Sequence, residues 1–339
     1  MVLFGAGMVA RIHADACRAL EWRVAAVASR SGDRAAALAR EIGARAITYD
    51  DAIGAPLGDL AVVATPPGDH VRAAIALLDA GYQVVVEAPI ACTLAQADAL
   101  VEAEARVGRP VLYSEHLVSS PAVDALLARV PAIGSLTHLS TRALRSPPSW
   151  RPSDEPSWGG GALFDLGVHP VGLALRTAAE AGAGAPVSLT AVIVDAGTDH
   201  EHATVKVRFE SGLRATIVVG WQPGAAPDGD LQASSAGAVL RVDLYPSPSL
   251  EQSGVPVALG PPVRVGTPNL VEDYGYAPQL KRFWTNIRTG RPVPATSRFG
   301  RQVLDVIAAA HWSAGRDAVE VAIPFPGPRD RSPSELFET

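Results

Sequence analysis

The apolar run Val2-Leu3-Phe4 passes directly into Gly5-Ala6-Gly7-Met8-Val9-Ala10, and a helical pattern follows to about Leu20. A strand that turns on glycine into a helix leaves few architectures open. The first glycine permits the tight turn, the second lets the backbone approach a ligand, and the small third residue lets helix and strand pack closely. The helix start then offers unpaired N–H groups to an anion. In this setting Gly-x-Gly-x-x-Ala is a dinucleotide fingerprint, with Gly5, Ala6, Gly7, Met8, Val9 and Ala10 as the pyrophosphate loop.

The alternation continues. Arg23 to Ala28 reads as a second strand, and Asp33 to Ile42 as a helix. Leu60 to Thr65 is a buried strand broken by Pro66-Pro67-Gly68; His70 opens a helix that stops at Gly81. Gln83 to Glu87 is a strand, Thr93 and Gln96 form a capping box for a helix ending near Gly108, and Val111 to Ser114 is a further strand. Right-handed crossovers make this an α/β fold with a doubly wound parallel sheet and ligands at the strands' C-terminal ends. At the end of the second strand stand Ser29 and Arg30, where an acidic residue would select NAD. Arginine accommodates a 2′-phosphate, so the expected cofactor is NADP ahead of NAD. Arg30 as a plain solvated side chain is the competing reading.

Composition narrows the rest. A chain of 339 residues suggests about two domains, drawn here at 1–118 and 119–339. With 48% apolar and 19% charged residues it is an ordered globular chain. A formal net charge of −6 offers no general attraction to phosphate backbones, so nucleic acid is not an expected partner. Cys17 and Cys92 give no disulfide framework, and the scattered histidines show no metal spacing. No apolar run reaches the roughly 18 residues a membrane span needs. With Met1 to Phe4 already a strand, no leader is expected and the location is expected to be cytoplasmic.

After Pro121, at the favoured first position of a helix, and a strand beyond Gly134, comes a loop from Ser146 to Trp158. Trp150 and Trp158 flank it and are candidates for an apolar wall over a substrate, or for packing anchors. Gly159-Gly160-Gly161-Ala162-Leu163-Phe164-Asp165-Leu166-Gly167-Val168-His169-Pro170 follows. If this segment is one helix, Asp165 and His169 share a face, and Pro170 bends it. A carboxylate beside an imidazole can orient it for proton transfer; the plainer reading is a cap and a core histidine.

The glycine loop, the Thr65-Pro66-Pro67 turn with His70, Glu87-Ala88-Pro89 and the Gly159 to His169 segment occur in that order. Together they resemble the Gfo/Idh/MocA family of NAD(P)-dependent oxidoreductases, over nearly the whole chain. The resemblance implies a Rossmann domain followed by an α/β domain with a large, mostly antiparallel open sheet. That sheet often makes homodimer or homotetramer contacts. Alternating segments at Val187 to Asp195, Ala203 to Phe209, Leu213 to Trp221 and Ala238 to Leu244 suit it. Many family members act on sugars, cyclitols or related carbonyl compounds. By resemblance Asp165 and His169 stand beside the nicotinamide, and Thr65, Pro66, Pro67, His70, Glu87 and Ala88 line the cofactor.

One position departs. The family's Glu-Lys-Pro is Glu87-Ala88-Pro89 here, and the family lysine assists proton transfer at the reacting hydroxyl. The aspartate that often follows the histidine by three is Gly172. General acid–base help is worth about 10²–10⁴-fold, so another group has to substitute if turnover is kept. His169 is the first candidate, with His116 and Tyr113 near the end of the Val111 strand. Tyr274 and Tyr276, before a helix starting near Pro278, are placed to reach the same cleft. Three readings follow: hydride transfer with His169 as acid/base, a cofactor-bound sensor or partner protein with little turnover, or redox-neutral chemistry on a retained cofactor.

Overall fold

Strands that are buried on both faces read as continuous apolar runs, and the first third of the chain shows this. In the computed structural model, which describes residues 1–148, 160–259 and 271–338, no residue of Val2–Phe4, Ala26–Ala28 or Leu60–Val63 is more than 4% exposed. The order is β1 (Val2–Phe4), α1 (Met8–Ala19), β2 (Ala26–Ala28), α2 (Gly32–Ile42), β3 (Arg45–Ile47), α3 (Tyr49–Gly54), β4 (Leu60–Val63), α4 (Pro67–Asp79), β5 (Gln83–Glu87), α5 (Leu94–Val107) and β6 (Val111–Ser114). All recorded pairings among these strands are parallel, in the order β3-β2-β1-β4-β5-β6. This is the doubly wound order of dinucleotide-binding folds. Local signals set its boundaries. Ser31 caps α2 by accepting from the Arg34 N–H, Thr48 and Asp51 form a capping box on α3, and Gly43 ends α2 in the left-handed region. The exposed β3 and the short α3 have no strong apolar period, and sequence reading passed over both.

Next come α6 (Pro121–Leu127), β7 (Leu136–Arg145), α7 (Ala162–Asp165), α8 (Val168–Glu180), β8 (Pro186–Val194), β9 (His202–Phe209), β10 (Arg214–Trp221), β11 (Asp228–Ser235), β12 (Val239–Asp243), β13 (Ser249–Gln252) and β14 (Val255–Pro256). The chain closes with α9 (Tyr276–Thr289), α10 (Ser297–Ala314), β15 (Val321–Ala322) and α11 (Pro333–Glu338). A nine-stranded sheet runs β14-β13-β12-β11-β7-β10-β9-β8-β15, with β7 and β10 parallel and the other recorded pairs antiparallel. Its strands alternate: Ala203, Val205, Val207 and Phe209 of β9 are buried, and their neighbours are less so. One face is thus packed, with α8 against β7 and β10.

The chain forms two compact units. The described residues of the first are 1–91, 95–119 and 271–301; those of the second are 92–94, 120–148, 160–259 and 302–338. The expected division at 118/119 placed everything beyond it in one domain, whereas α9 returns to the first unit, where it packs on α1 and beside β6. No helix among the described residues is long and apolar enough to cross a membrane.

Candidate active site

The glycine loop divides its work as the fingerprint requires. Gly5 has φ +125°, and a Cβ there would sit 2.2 Å from the Ala64 carbonyl oxygen, so β1 and β4 can lie side by side only if this residue is glycine. A Cβ on Gly7 would meet no atom within 4 Å. Gly7 is the N-cap of α1; no side chain caps that end and no acidic residue stands in its first turn. Uncapped N–H groups open onto vacant space, which suits a pyrophosphate. Beside Gly5, the Thr65 hydroxyl is buried and has no hydrogen-bond partner among the described residues. These features fit a dinucleotide.

Around the end of β2 the Ser29 hydroxyl accepts from the Ser31 N–H. Arg30 is exposed and pairs with Asp69 of α4 at 3.2 Å, and Asp69 also binds Arg72 at 2.7 Å. Tyr49 stacks on Phe4 at 4.2 Å. Pro66 and Pro67 begin α4 three residues ahead of His70, where sequence reading opened that helix. His70 is 1% exposed, with its ring nitrogens 2.8 Å from the Pro89 carbonyl and 2.7 Å from the Thr65 carbonyl. Burial pushes its pKa down, against the pull of those two carbonyls. Its ring therefore sits between the β4 turn and the β5 end, and the neutral imidazole donates its single N–H to one of the two carbonyls.

At the end of β5 lies a network that the motif alone does not show. Glu87 pairs with Ser114 across β5 and β6, so the two side chains share a face. The Ser114 hydroxyl donates to Glu87 Oε1 at 2.6 Å, and Gln279 Nε2 of α9 donates to Ser114 at 2.7 Å. His13 Nε2 lies 2.5 Å from the same Glu87 oxygen, and the Ala88 N–H donates to Oε2 at 3.2 Å. Burial alone would raise the Glu87 pKa, but His13, Ser114 and His116 outweigh it and hold it below the usual value. His13 sits on the buried face of α1 with Ala10, Ala14 and Cys17, a spacing that places it over the sheet. The methyl of Ala88 is half-buried next to this carboxylate.

His116 is 6% exposed, stacks on Tyr276 at 3.9 Å, and has Nδ1 2.7 Å from the Tyr274 carbonyl. A carbonyl only accepts, so Nδ1 carries the hydrogen, and in the neutral ring Nε2 carries the lone pair. Tyr274 thus meets His116 through its backbone carbonyl and Tyr276 through its ring, with α9 starting at Tyr276. Tyr113 differs from expectation. It is fully buried, its ring packs against Phe299, and a Cβ on Gly300 would come within 2.8 Å of it. Because β6 is covered on both faces, Tyr113 is a core residue and its burial pushes its pKa well up.

In the second unit, the segment expected as one helix is two. α7 ends at Asp165 and α8 starts at Val168. A Cβ on Gly167 would sit 2.2 Å from the Leu163 carbonyl, so the close packing of the chain between the two helices requires glycine here. Pro170 consequently falls in the first turn of α8, where its missing N–H breaks no bond, and the expected bend is absent. Asp165 Oδ2 pairs with Arg145 Nη2 of β7 at 2.5 Å, and His169 is half-buried in the first turn of α8. Glu201 is 1% exposed and accepts from the Leu163 N–H at 3.0 Å and the Gly197 N–H at 2.7 Å. His13, Ser114, Gln279, Arg145 and Glu201 are thus site-building residues that sequence reasoning missed. Only His13 had a signal, as a polar residue on an apolar stripe. Trp150, Trp158 and Gly159 lie outside the described residues.

Among the described residues no group of three or more His, Cys, Asp or Glu side chains is placed to hold a metal ion. Residues 1–116 match the model of an oxidoreductase family with an NAD-binding Rossmann fold, and 129–233 match the GFO/IDH/MocA C-terminal domain. An uncharacterised oxidoreductase, ORF334, of Rhizobium meliloti is 27% identical over 306 residues, covering 86% of this chain and 89% of that protein. A 1,5-anhydro-D-fructose reductase of Ensifer adhaerens is 32% identical over 177 residues, 49% of this chain and 53% of its own length. The crystal structure of GenD2 from gentamicin A biosynthesis, in complex with NAD, superposes with a TM-score of 0.80 at 24% identity, covering 95% of both chains. The glycine loop at a parallel-sheet switch point, the nine-stranded sheet after it, and the two domain models in the same order agree: the chain belongs to the GFO/IDH/MocA family of NAD(P)-dependent oxidoreductases.

Proposed function

We propose that this chain transfers a hydride between NADP(H), ahead of NAD(H), and a hydroxyl or carbonyl of a small sugar-like substrate, an imine being the variant reading. The observation that carries the proposal is the vacant approach at Gly7 beneath the uncapped start of α1. When bound, the nicotinamide supplies or accepts the hydride. Gly5 to Ala10 would hold the pyrophosphate, and Arg30 with Arg72 would meet a 2′-phosphate, exchanging their shared Asp69 for it. His169 moves the substrate proton, with Asp165 orienting it and Arg145 fixing the Asp165 carboxylate. His116, whose Nδ1–H is committed to the Tyr274 carbonyl, is the second proton-handling group. The sugar class is supported by the 1,5-anhydro-D-fructose reductase relative. A homo-oligomer built through the nine-stranded sheet is supported by the exposed Val192 and Val194 on β8.

Ala88 favours one alternative, a cofactor-bound protein with little turnover, because no side-chain base stands at that position. Two variants and a substrate panel separate the readings. Gly7→Ala leaves thermal stability unchanged and weakens NADPH binding at least about tenfold, whereas Gly5→Ala loses stability as well. Wild-type NADPH affinity in Gly7→Ala would sink the cofactor site. NADPH consumption with aldoses, ketoses or imines that disappears in His169→Ala supports hydride transfer. Tight cofactor binding without turnover on the whole panel supports the alternative.

A further inference from the structure

The end of the parallel sheet opposite the glycine loop carries a pocket. It is lined by Asp59, Gly81, Gln83, Arg109, Trp284, Ile287 and Arg288, all in the first unit. Asp59 directly precedes β4, Gln83 is the first residue of β5, and Arg109 stands two residues before β6. β5 places its other end at Glu87, so the pocket lies roughly 13–17 Å from the strand ends where the cofactor loop gathers. A cavity of about 240 Å³ is smaller than a drug-sized site and matches a small metabolite.

The lining has unmet valences of both signs. Among the described residues Arg109 makes only a long hydrogen bond to the Leu78 carbonyl, 3.5 Å, and neither Arg109 nor Arg288 has a carboxylate partner. Arg288 sits 6.0 Å from the centre of the Trp284 ring, at the outer limit of a cation–π contact. The Gln83 side-chain oxygen is buried with no hydrogen-bond partner among the described residues. An unmatched buried acceptor costs about 1–3 kcal/mol unless a donor arrives from a ligand or solvent. Trp284 presents a flat apolar surface braced edge-on by Trp22 at 6.3 Å, with Ile287 beside it.

We propose that this pocket binds a small zwitterion, an α-amino acid with an apolar side chain. Its carboxylate meets Arg109 and Arg288, its ammonium meets the Gln83 oxygen and Asp59, and its side chain lies on Trp284 and Ile287. A phosphate or other polyanion would leave the Gln83 oxygen unmatched and face the Asp59 carboxylate. A neutral sugar would leave both guanidinium groups without a counter-charge. The site is separate from the proposed chemistry, and neither depends on the other.

Isothermal titration of the full chain tests this with L-leucine and its two half-molecules, 4-methylpentanoate and 3-methylbutylamine. L-leucine binds at millimolar or lower concentration, and each half-molecule binds at least about tenfold more weakly. Arg288→Met, at the exposed end of α9, and Gln83→Leu each weaken L-leucine at least about tenfold, while melting temperature and NADPH affinity stay at wild-type values. Four results overturn the proposal: no heat with leucine, methionine or phenylalanine; 4-methylpentanoate binding as tightly as leucine, which marks a simple anion site; 3-methylbutylamine doing so; or unchanged leucine affinity in both variants.

Discussion

Glu87 in the first unit and Glu201 in the second are both buried carboxylates that organise a signature segment, and they do so by different means. Glu87 receives side-chain donors from His13 and Ser114, with one backbone N–H from its own neighbour Ala88. Glu201 receives backbone N–H groups from Leu163 of α7 and from Gly197 in the loop between β8 and β9. The first arrangement fixes the positions of chemical groups; the second fixes the path of the chain that delivers Asp165 and His169. A side-chain clamp can be loosened one donor at a time. A backbone clamp fails as a whole.

Gly161 gives the most severe way to break the comparison. A Cβ there would lie 1.7 Å from Glu201 Oε2, and Glu201 has no exposed space into which to retreat. Gly161→Ala is therefore expected to lose about 3 kcal/mol or more in urea unfolding, since it expels the carboxylate from both N–H groups. Adding Glu201→Ala to that background removes the clash and recovers part of the loss. If Gly161→Ala unfolds within about 0.5 kcal/mol of wild type, the backbone clamp is not as tight as its geometry.

Acid provides a smaller separation. The Glu87 pKa lies below the value it has in the unfolded chain, so between the two values the unfolded state binds more protons and stability rises with pH. Its contribution is complete above about pH 4.5 and is lost as pH falls through the folded value. The buried histidines act higher up. Burial holds down the pKa of His70 and of His311, which is 3% exposed within α10, so protonation disfavours the fold as pH drops below about 6.5. Glu87→Gln should lower the melting temperature at neutral pH and flatten its fall below about pH 4.5. The decline that begins near pH 6.5 stays unchanged. An unaltered acid limb in this variant would show that Glu87 is not a group whose protonation unfolds the protein.

The same contrast explains what could be read from the sequence. Glu87 ends a strand whose apolar run is continuous, and the glycine loop fixes a parallel sheet around it, so the strand end was legible without coordinates. The two-stage helix at 162–180 was not, because the break after Asp165 rests on a close approach of the Gly167 backbone to the Leu163 carbonyl, which no residue period announces. Glu201 stands in a polar stretch, 38 residues from its Leu163 partner, and no local period points from one to the other. Gln279 reaches Ser114 across 165 residues, which only the return of α9 to the first unit makes possible. The burial of Tyr113 was not legible either, because a strand covered on both faces gives no periodic sign of which way its aromatic residue points.

Ser114→Ala is the mildest probe and sharpens the claim that the Glu87 clamp is divisible. It removes one of three hydrogen bonds to the carboxylate and takes away the acceptor that Gln279 Nε2 uses. His13 and the Ala88 N–H remain on Glu87. Replacing a buried neutral donor to a charged acceptor loses about 1.5–3 kcal/mol, below the loss expected for Gly161→Ala. Because Gln279 is 3% exposed, its freed amide has no solvent to turn to, so Gln279→Leu in the same background should restore part of the loss. The cycle is read by urea denaturation with NADPH affinity followed in parallel. A Ser114→Ala loss as large as that of Gly161→Ala would mean that the side-chain clamp also acts all or none, and the distinction between the two carboxylates would fall.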